Sequence, residues 1–181
     1  MPDATPEFYT VWKIQERLTI PDPEETKTRY HTYLFIQKND TSNNGSNDTP
    51  TPPGDVSGWT HEVTGDIATS TGMIYIHKSV TASPEYSGAF YAKHLLGRVR
   101  ADAYPGNVDG VCRSIKPPGC QKKFNMVTMR YEGVVSDDDG EGGRKWRFYE
   151  PGEERKGYFK CTEWVERNVV PKLQRDGILV D

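Results

Sequence analysis

The sequence predicts a single α+β domain in which an antiparallel sheet of about four to six strands packs against a few helices. Stretches rich in β-branched and aromatic residues occupy the N-terminal half of the chain, and apolar residues recur at helical spacing in two later stretches. The length of 181 residues suits one domain, and no internal repeat divides it. We therefore expect residues 1–181 to form one unit.

Strands are predicted first, because apolar and polar residues alternate in several short segments. The strongest segment is TKTRYHTYLFIQ, whose aromatic and β-branched residues are typical of a half-buried strand. A glycine-aspartate step at residues 65–66 indicates a turn between two later strands. The predicted strands are residues 9–18, 26–37, 59–63 and 72–78, with a further strand at residues 95–100.

Two polar stretches interrupt this pattern. Residues 38–58 consist almost entirely of Asn, Asp, Ser, Thr, Gly and Pro, so we expect a flexible loop at the tip of a hairpin. The three glycosylation-type matches in this loop, at Asn39, Asn44 and Asn47, carry little weight in so Asn- and Ser-rich a tract. A second polar excursion is predicted within residues 121–157 and is most pronounced at residues 132–145.

Helices are predicted at residues 105–115 and from Cys161 onwards. The first places Val108, Val111 and Cys112 on one face. The second carries an apolar face that ends at a glycine, and Pro171 should kink it or shorten its regular part. The residues of that face are Trp164, Val165, Val169 and Leu173, and the glycine is Gly177.

Composition excludes several classes of function. The net charge is −3 and no basic block occurs, so we expect no nucleic-acid partner. No apolar run is long enough for a membrane span, and the N-terminus lacks the features of a signal peptide, which predicts a cytoplasmic protein. No glycine-rich phosphate motif is present, so no cofactor is expected. The oligomeric state stays open.

The three cysteines differ in their predicted surroundings. Cys161 opens a helical pattern after an extended approach, and the free N–H groups of a helix start favour a thiolate. The alternative is that Cys161 is a small buried apolar residue. Cys112 is predicted to lie in the core, whereas Cys120 follows a Pro-Gly loop and is expected to be exposed. A disulfide between Cys112 and Cys120 is a minor alternative.

A nucleophilic cysteine needs a base, and the chain has four histidines. His31 and His61 lie on consecutive predicted strands, where a hairpin would bring them together, so either could be the base. His77 and His94 are predicted to be structural or solvent-exposed. A zinc site formed by His31, His61 and Cys161 is a further alternative, although no closely spaced ligand pair supports it.

The segments RYHTYLFIQ, WTHEV and KCTEWVERNVV follow one another along the chain. Together they resemble the lecithin:retinol acyltransferase-like branch of the permuted papain-like proteins. That family has a strand beginning H-W-x-I-Y-x-G, a second strand with another histidine, and a late N-C-E-H-F-V motif at the start of the nucleophile's helix. His31, His61 and Cys161 match these positions, and Trp164 and Val165 match the pair after the cysteine.

The resemblance implies a permuted papain-like fold and a cysteine-dependent hydrolase or acyltransferase. Cys161 would attack an ester, thioester or amide of a small-molecule or peptide substrate, His31 would be the base, and His61 would orient or polarise it. The alternative is a catalytically inactive binding module of the same fold. The segments FYEPGEERKGYF and KCTEWVERNVVPKLQRDGIL also look like small uncharacterised proteins of filamentous fungi, a likeness that implies no activity.

Overall fold

A five-stranded antiparallel sheet organises the protein. The computed structural model describes residues 7–20, 25, 27–38, 57–138 and 144–181. The sheet has the order β4-β3-β2-β1-β5, so the strands consecutive in sequence are neighbours except where β5 joins the free edge of β1. Its strands are Phe8–Arg17 (β1), Tyr30–Gln37 (β2), Gly58–Gly65 (β3), Met73–Val80 (β4) and Phe90–Arg100 (β5).

The predicted strands of this sheet are confirmed, with shifted bounds. The second begins at Tyr30 rather than at residue 26, and the fifth begins at Phe90, five residues before its predicted start. Residues 39–56 of the predicted loop at 38–58 lie outside the described residues, as do its glycosylation-type matches. The predicted α+β class is confirmed by this sheet and the helices packed on it.

A second, three-stranded antiparallel sheet corrects the prediction for the later polar stretch. It has the order β6-β7-β8 and consists of Lys122–Asn125 (β6), Arg130–Asp138 (β7) and Arg144–Phe148 (β8). Residues 132–138 and 144–145 of the polar excursion predicted at residues 132–145 lie in strands, and residues 139–143 are not among the described residues. Val134 is buried, and pairing across this small sheet satisfies the backbone despite the polar composition.

The C-terminal helix begins at Cys161 as predicted. It consists of an α-helical turn, Cys161–Glu163 (α2), a π-helical stretch, Trp164–Val169, and an α-helical end, Val170–Arg175 (α3); the earlier helix is Gly106–Ser114 (α1). Pro171 lacks an N–H and crowds the preceding turn, which accounts for the wider winding just before it. Gly177 ends the helix at a φ of 68°, also as predicted.

The main core lies between one face of the five-stranded sheet and the two helices. Leu34 and Ile36 of β2 pack with the helical residues Trp164 and Val165, all of them fully buried. Cys112 of α1 belongs to this core, which confirms its predicted place. The core anchors the C-terminal helix along its length and thereby holds Cys161 against the sheet.

Cys120 is buried, so the prediction that it is exposed is wrong. Its Sγ atom donates a hydrogen bond to the carbonyl oxygen of Lys122 at 3.3 Å. Cys112, Cys120 and Cys161 are all free thiols.

Candidate functional site

The candidate site is built around Cys161, at the point where the C-terminal helix meets a gap between β2 and β3. The pairing of these antiparallel strands ends at Leu34 of β2 and His61 of β3. The four residues of β2 before Leu34 and the four residues of β3 after His61 are not paired with each other. In the gap, the Cys161 thiol contacts the carbonyl oxygen of Tyr30 at 3.7 Å, and the N–H of Thr32 donates to its sulfur. Backbone groups left free by the splayed strands therefore hold the sulfur.

The start of the helix is fixed by a small ionic network. Glu163 caps the helix through the backbone N–H of Lys160 at 2.9 Å. Arg29 donates to Glu163 at 2.5 Å, to the carbonyl oxygen of Tyr158 at 3.0 Å, and forms an ion pair with Glu25 at 3.1 Å. These contacts join Glu25 and Arg29, which lie just before β2, to the start of the helix. They therefore hold β2 and the helix start in a fixed relative position.

His31 and Glu62 form a series with the thiol of Cys161. The imidazole of His31 and the thiol of Cys161 interact directly, and each shifts the pKa of the other. Its Nε2 lies 2.7 Å from Oε2 of Glu62, and Oε1 of Glu62 accepts a hydrogen bond from Lys78 at 3.0 Å. We refer to Cys161, His31 and Glu62 as the thiol cluster.

Electrostatics favour the ion-pair form of the thiol cluster. Burial opposes the imidazolium, but hydrogen bonds to Cys161 and Glu62 outweigh it and raise the pKa of His31 to about 10. Burial likewise opposes the thiolate, but hydrogen bonds from His31 and from the backbone of Thr32 and Thr162 lower the pKa of Cys161. These shifts favour the thiolate–imidazolium pair over the neutral pair, and the thiolate is the reactive form of a cysteine.

The structure does not bring His61 to the thiol cluster. His61 is fully buried on the opposite face of β3 from Glu62, because successive residues of a strand point to opposite faces. Its Nδ1 lies 2.6 Å from the hydroxyl of Tyr75 and its Nε2 lies 2.9 Å from the hydroxyl of Tyr104. Both ring nitrogens are thus engaged within the core, and the carboxylate next in sequence is the group that meets His31.

Sequence reasoning missed Glu62, although a signal for it was present. Around WTHEV the apolar residues Trp59 and Val63 alternate with polar ones. His61 is two residues from each of them, so strand alternation places it on the same core-facing side and places Glu62 on the other face. Asp66, in the turn predicted at residues 65–66, accepts a hydrogen bond from the N–H of Ala68 at 2.8 Å.

The thiol cluster opens onto a cleft of about 610 Å³. His31 and Cys161 lie on its wall, and Cys161 itself is only 7% exposed. Much of the lining is apolar, and cationic side chains lie among it. The apolar members are Leu18, Ile20, Ile67 and Met73, and the cationic members are Arg29, Lys122 and Lys160.

Two further observations bear on the class of the site. Within the described part of the chain, no group of three or more His, Cys, Asp or Glu side chains could hold a metal ion, and His31, His61 and Cys161 do not converge. Across the same part of the chain, every helix is too short or too polar to cross a bilayer.

Fold and site together describe an α+β protein with a free thiol and an imidazole on the wall of a cleft, and with a carboxylate hydrogen bonded to that imidazole. Residues 18–180 match a family described as a family of unknown function, DUF6540. This match covers most of the chain, so the protein belongs to that family. No curated protein and no solved structure matches it.

Proposed function

We propose that this protein is a cysteine-dependent hydrolase or acyltransferase of permuted papain-like architecture, with Cys161 as nucleophile, His31 as acid and base, and Glu62 as the residue that orients His31. The observation that carries this proposal is the series from the Cys161 sulfur through His31 to Glu62, in which Cys161 and His31 lie on the same cleft wall and His31 Nε2 lies 2.7 Å from Glu62 Oε2. A nucleophile, a base and a group that orients the base are the parts that thiol catalysis requires.

The order of these residues supports the proposed architecture. His31 and Glu62 lie on neighbouring strands, and Cys161 begins a helix much later in the chain. This order, histidine before cysteine, is the one that the resemblance to permuted papain-like proteins implies. Glu62 takes the orienting role that the resemblance assigned to His61.

The reaction follows from the ion pair. The Cys161 thiolate attacks the carbonyl carbon of an ester, thioester or amide, and its sulfur forms a bond to that carbon. The His31 imidazolium then gives its proton to the leaving oxygen, sulfur or nitrogen as that bond breaks. Neutral His31 removes a proton from water or another acceptor, which attacks the acyl-enzyme and releases Cys161.

The backbone supplies stabilisation for the developing negative charge. N–H groups at the start of the helix are not used by intrahelical hydrogen bonds, and the Thr162 N–H already faces the sulfur. Fixed donors of this kind stabilise an oxyanion without reorganising. The cleft beside them has room for an acyl group with an apolar portion.

Selective alkylation tests the nucleophile. Iodoacetamide should label Cys161 about tenfold faster at neutral pH than it labels free cysteine, because the thiolate fraction is higher. Cys112 is an internal control, since burial raises the pKa of its thiol to about 12. His31→Asn should slow the labelling of Cys161 and leave Cys112 unchanged.

Mass spectrometry after exposure to activated esters tests the covalent step. We expect an acyl adduct on Cys161 that a His31→Asn variant releases more slowly than the wild type. If Cys161 labels no faster than free cysteine and forms no adduct, the enzyme proposal fails and the inactive binding module is favoured.

A further inference from the structure

The turn between β6 and β7 presents three apolar side chains to solvent. Met126, Val127 and Met129 are 75%, 91% and 65% exposed. Such side chains add nothing to the core, and a soluble surface normally avoids a cluster of them. We refer to Met126, Val127 and Met129 as the hairpin tip.

The hairpin tip is held in place by polar side chains below it. Asn125 accepts a hydrogen bond from the N–H of Val127 at 2.9 Å and donates to Glu132 at 2.8 Å. The hydroxyl of Thr128 donates to the same carboxylate at 2.7 Å. The apolar side chains are therefore displayed by an ordered turn.

The backbone conformation of Met129 is a second observation that favours a role for the apolar side chains of the hairpin tip. Its φ is 55°, in the left-handed region that glycine or asparagine adopts at lower cost. A turn selected only for stability would carry one of those residues here. Methionine at this position suits a surface that must present flexible apolar side chains.

The hairpin tip is continuous with the mouth of the cleft and is flanked by positive charge. Tyr131, one strand position beyond the turn, is exposed and lines the cleft. Ile20, on another part of the cleft lining, is exposed as well. Lys123 and Arg130 lie on either side of the tip in the chain, and the carboxylate below the tip, Glu132, is engaged by hydrogen bonds from Asn125 and Thr128.

We propose that the hairpin tip docks this protein on an anionic lipid surface, with the mouth of the cleft turned toward that surface. Apolar side chains would enter the region between headgroups and acyl chains, and the flanking cations would contact anionic headgroups. Three side chains on one turn are too few for the roughly 800 Å² that a stable protein interface buries on each partner, but they suffice for shallow insertion. The proposal concerns binding alone and does not depend on the chemistry of Cys161.

Flotation with lipid vesicles tests the docking. The full-length wild type should float with vesicles of phosphatidylcholine and phosphatidylserine, bind phosphatidylcholine vesicles more weakly, and lose binding as salt is raised. Val127→Asp combined with Met129→Asp should weaken binding about tenfold or more, since each change removes an inserting side chain and adds repulsion.

Two controls separate insertion from loss of folding. Met129→Gly removes an apolar side chain and relieves the left-handed backbone, so it should weaken binding while preserving or raising thermal stability. Leu95→Asp changes an exposed apolar residue on β5, at the opposite edge of the main sheet from β4, and should bind like the wild type.

Three results would overturn the proposal. One is failure of the wild type to bind anionic vesicles. Another is unchanged binding by the double aspartate variant. The third is concentration-dependent self-association in sedimentation equilibrium that the double variant abolishes, since this would assign the hairpin tip to a second copy of the chain.

Discussion

Replacing Glu62 by glutamine probes the thiol cluster most directly. The carboxylate accepts from Nε2 of His31 at 2.7 Å and from Lys78 at 3.0 Å. Lys78 can only donate, so a glutamine would keep its carbonyl oxygen toward Lys78 and turn its NH₂ group toward His31. Two donors would then face each other, which disfavours the proton on Nε2 and hence the imidazolium.

The size of the effect follows from these contacts. A hydrogen bond to a charged group contributes about 1.5–3 kcal/mol, and about 1.4 kcal/mol corresponds to one pH unit in a pKa. The pKa of His31, about 10 in the wild type, should therefore fall by about 1–2 pH units in Glu62→Gln. The pKa of Cys161 should rise, because a weaker imidazolium stabilises the thiolate less.

The assay is the pH dependence of two rates, alkylation of Cys161 and turnover of an activated ester. Both need the ion pair, so the wild type should be active between the lowered pKa of Cys161 and the raised pKa of His31. In Glu62→Gln the lower pH limit should rise and the upper pH limit should fall. The value of kcat/KM should fall about tenfold to a hundredfold.

Lys78→Met is the matched control for Glu62→Gln. It removes the other partner of the carboxylate and keeps the contact to His31. Lys78 is largely exposed, and an ion pair of that kind contributes about 1 kcal/mol or less, so the loss should stay below about fivefold. A Glu62→Gln enzyme with the pH profile and kcat/KM of the wild type would refute the role assigned to Glu62.

Three further predictions concern stability, each read from urea denaturation. Burial and the nearby charge of His77 lower the pKa of His61 to about 3. The unfolded chain then binds a proton that the folded chain does not, so His61 should lower the free energy of unfolding by about 1.4 kcal/mol per pH unit as the pH falls from about 6.5 to about 3; a His61→Gln variant that keeps this slope would contradict the assignment. Trp164→Ala should lower the free energy of unfolding by about 3–5 kcal/mol because the side chain is fully buried. Trp164→Phe also removes an indole N–H that has no hydrogen-bond partner, so it should cost clearly less, and equal losses of stability in the two variants would argue against close packing there. Gly72→Ala should destabilise by about 1–3 kcal/mol, since φ is +70° and the added methyl group would collide with the backbone at Pro118, and a neutral result would contradict that geometry.

Local patterns in the sequence determined most of the main sheet and both helices. β-branched and aromatic alternation marked the strands, and Trp164, Val165 and Leu173 marked one face of the last helix, which the core confirms. These features depend on near neighbours in the chain and on burial of one face, so a single sequence contains them.

The small sheet could not be predicted in the same way. Its strands are mostly polar, and β7 pairs with both β6 and β8. Cys120 was misjudged for a related reason, because its burial depends on hydrogen bonds that connect its loop to the segment between β3 and β4, and not on the loop's composition.

For the candidate site, local patterns in the chain predict the start of a helix at Cys161 and a histidine on an early strand. The partner of each group depends on contacts between distant parts of the chain. The sulfur lies beside His31 where β2 and β3 separate. Glu62 and His61 lie on opposite faces of β3, so Glu62 contacts the imidazole of His31 and His61 lies in the core. A shift of one strand position exchanges the two faces, and distant packing, not local composition, sets that position.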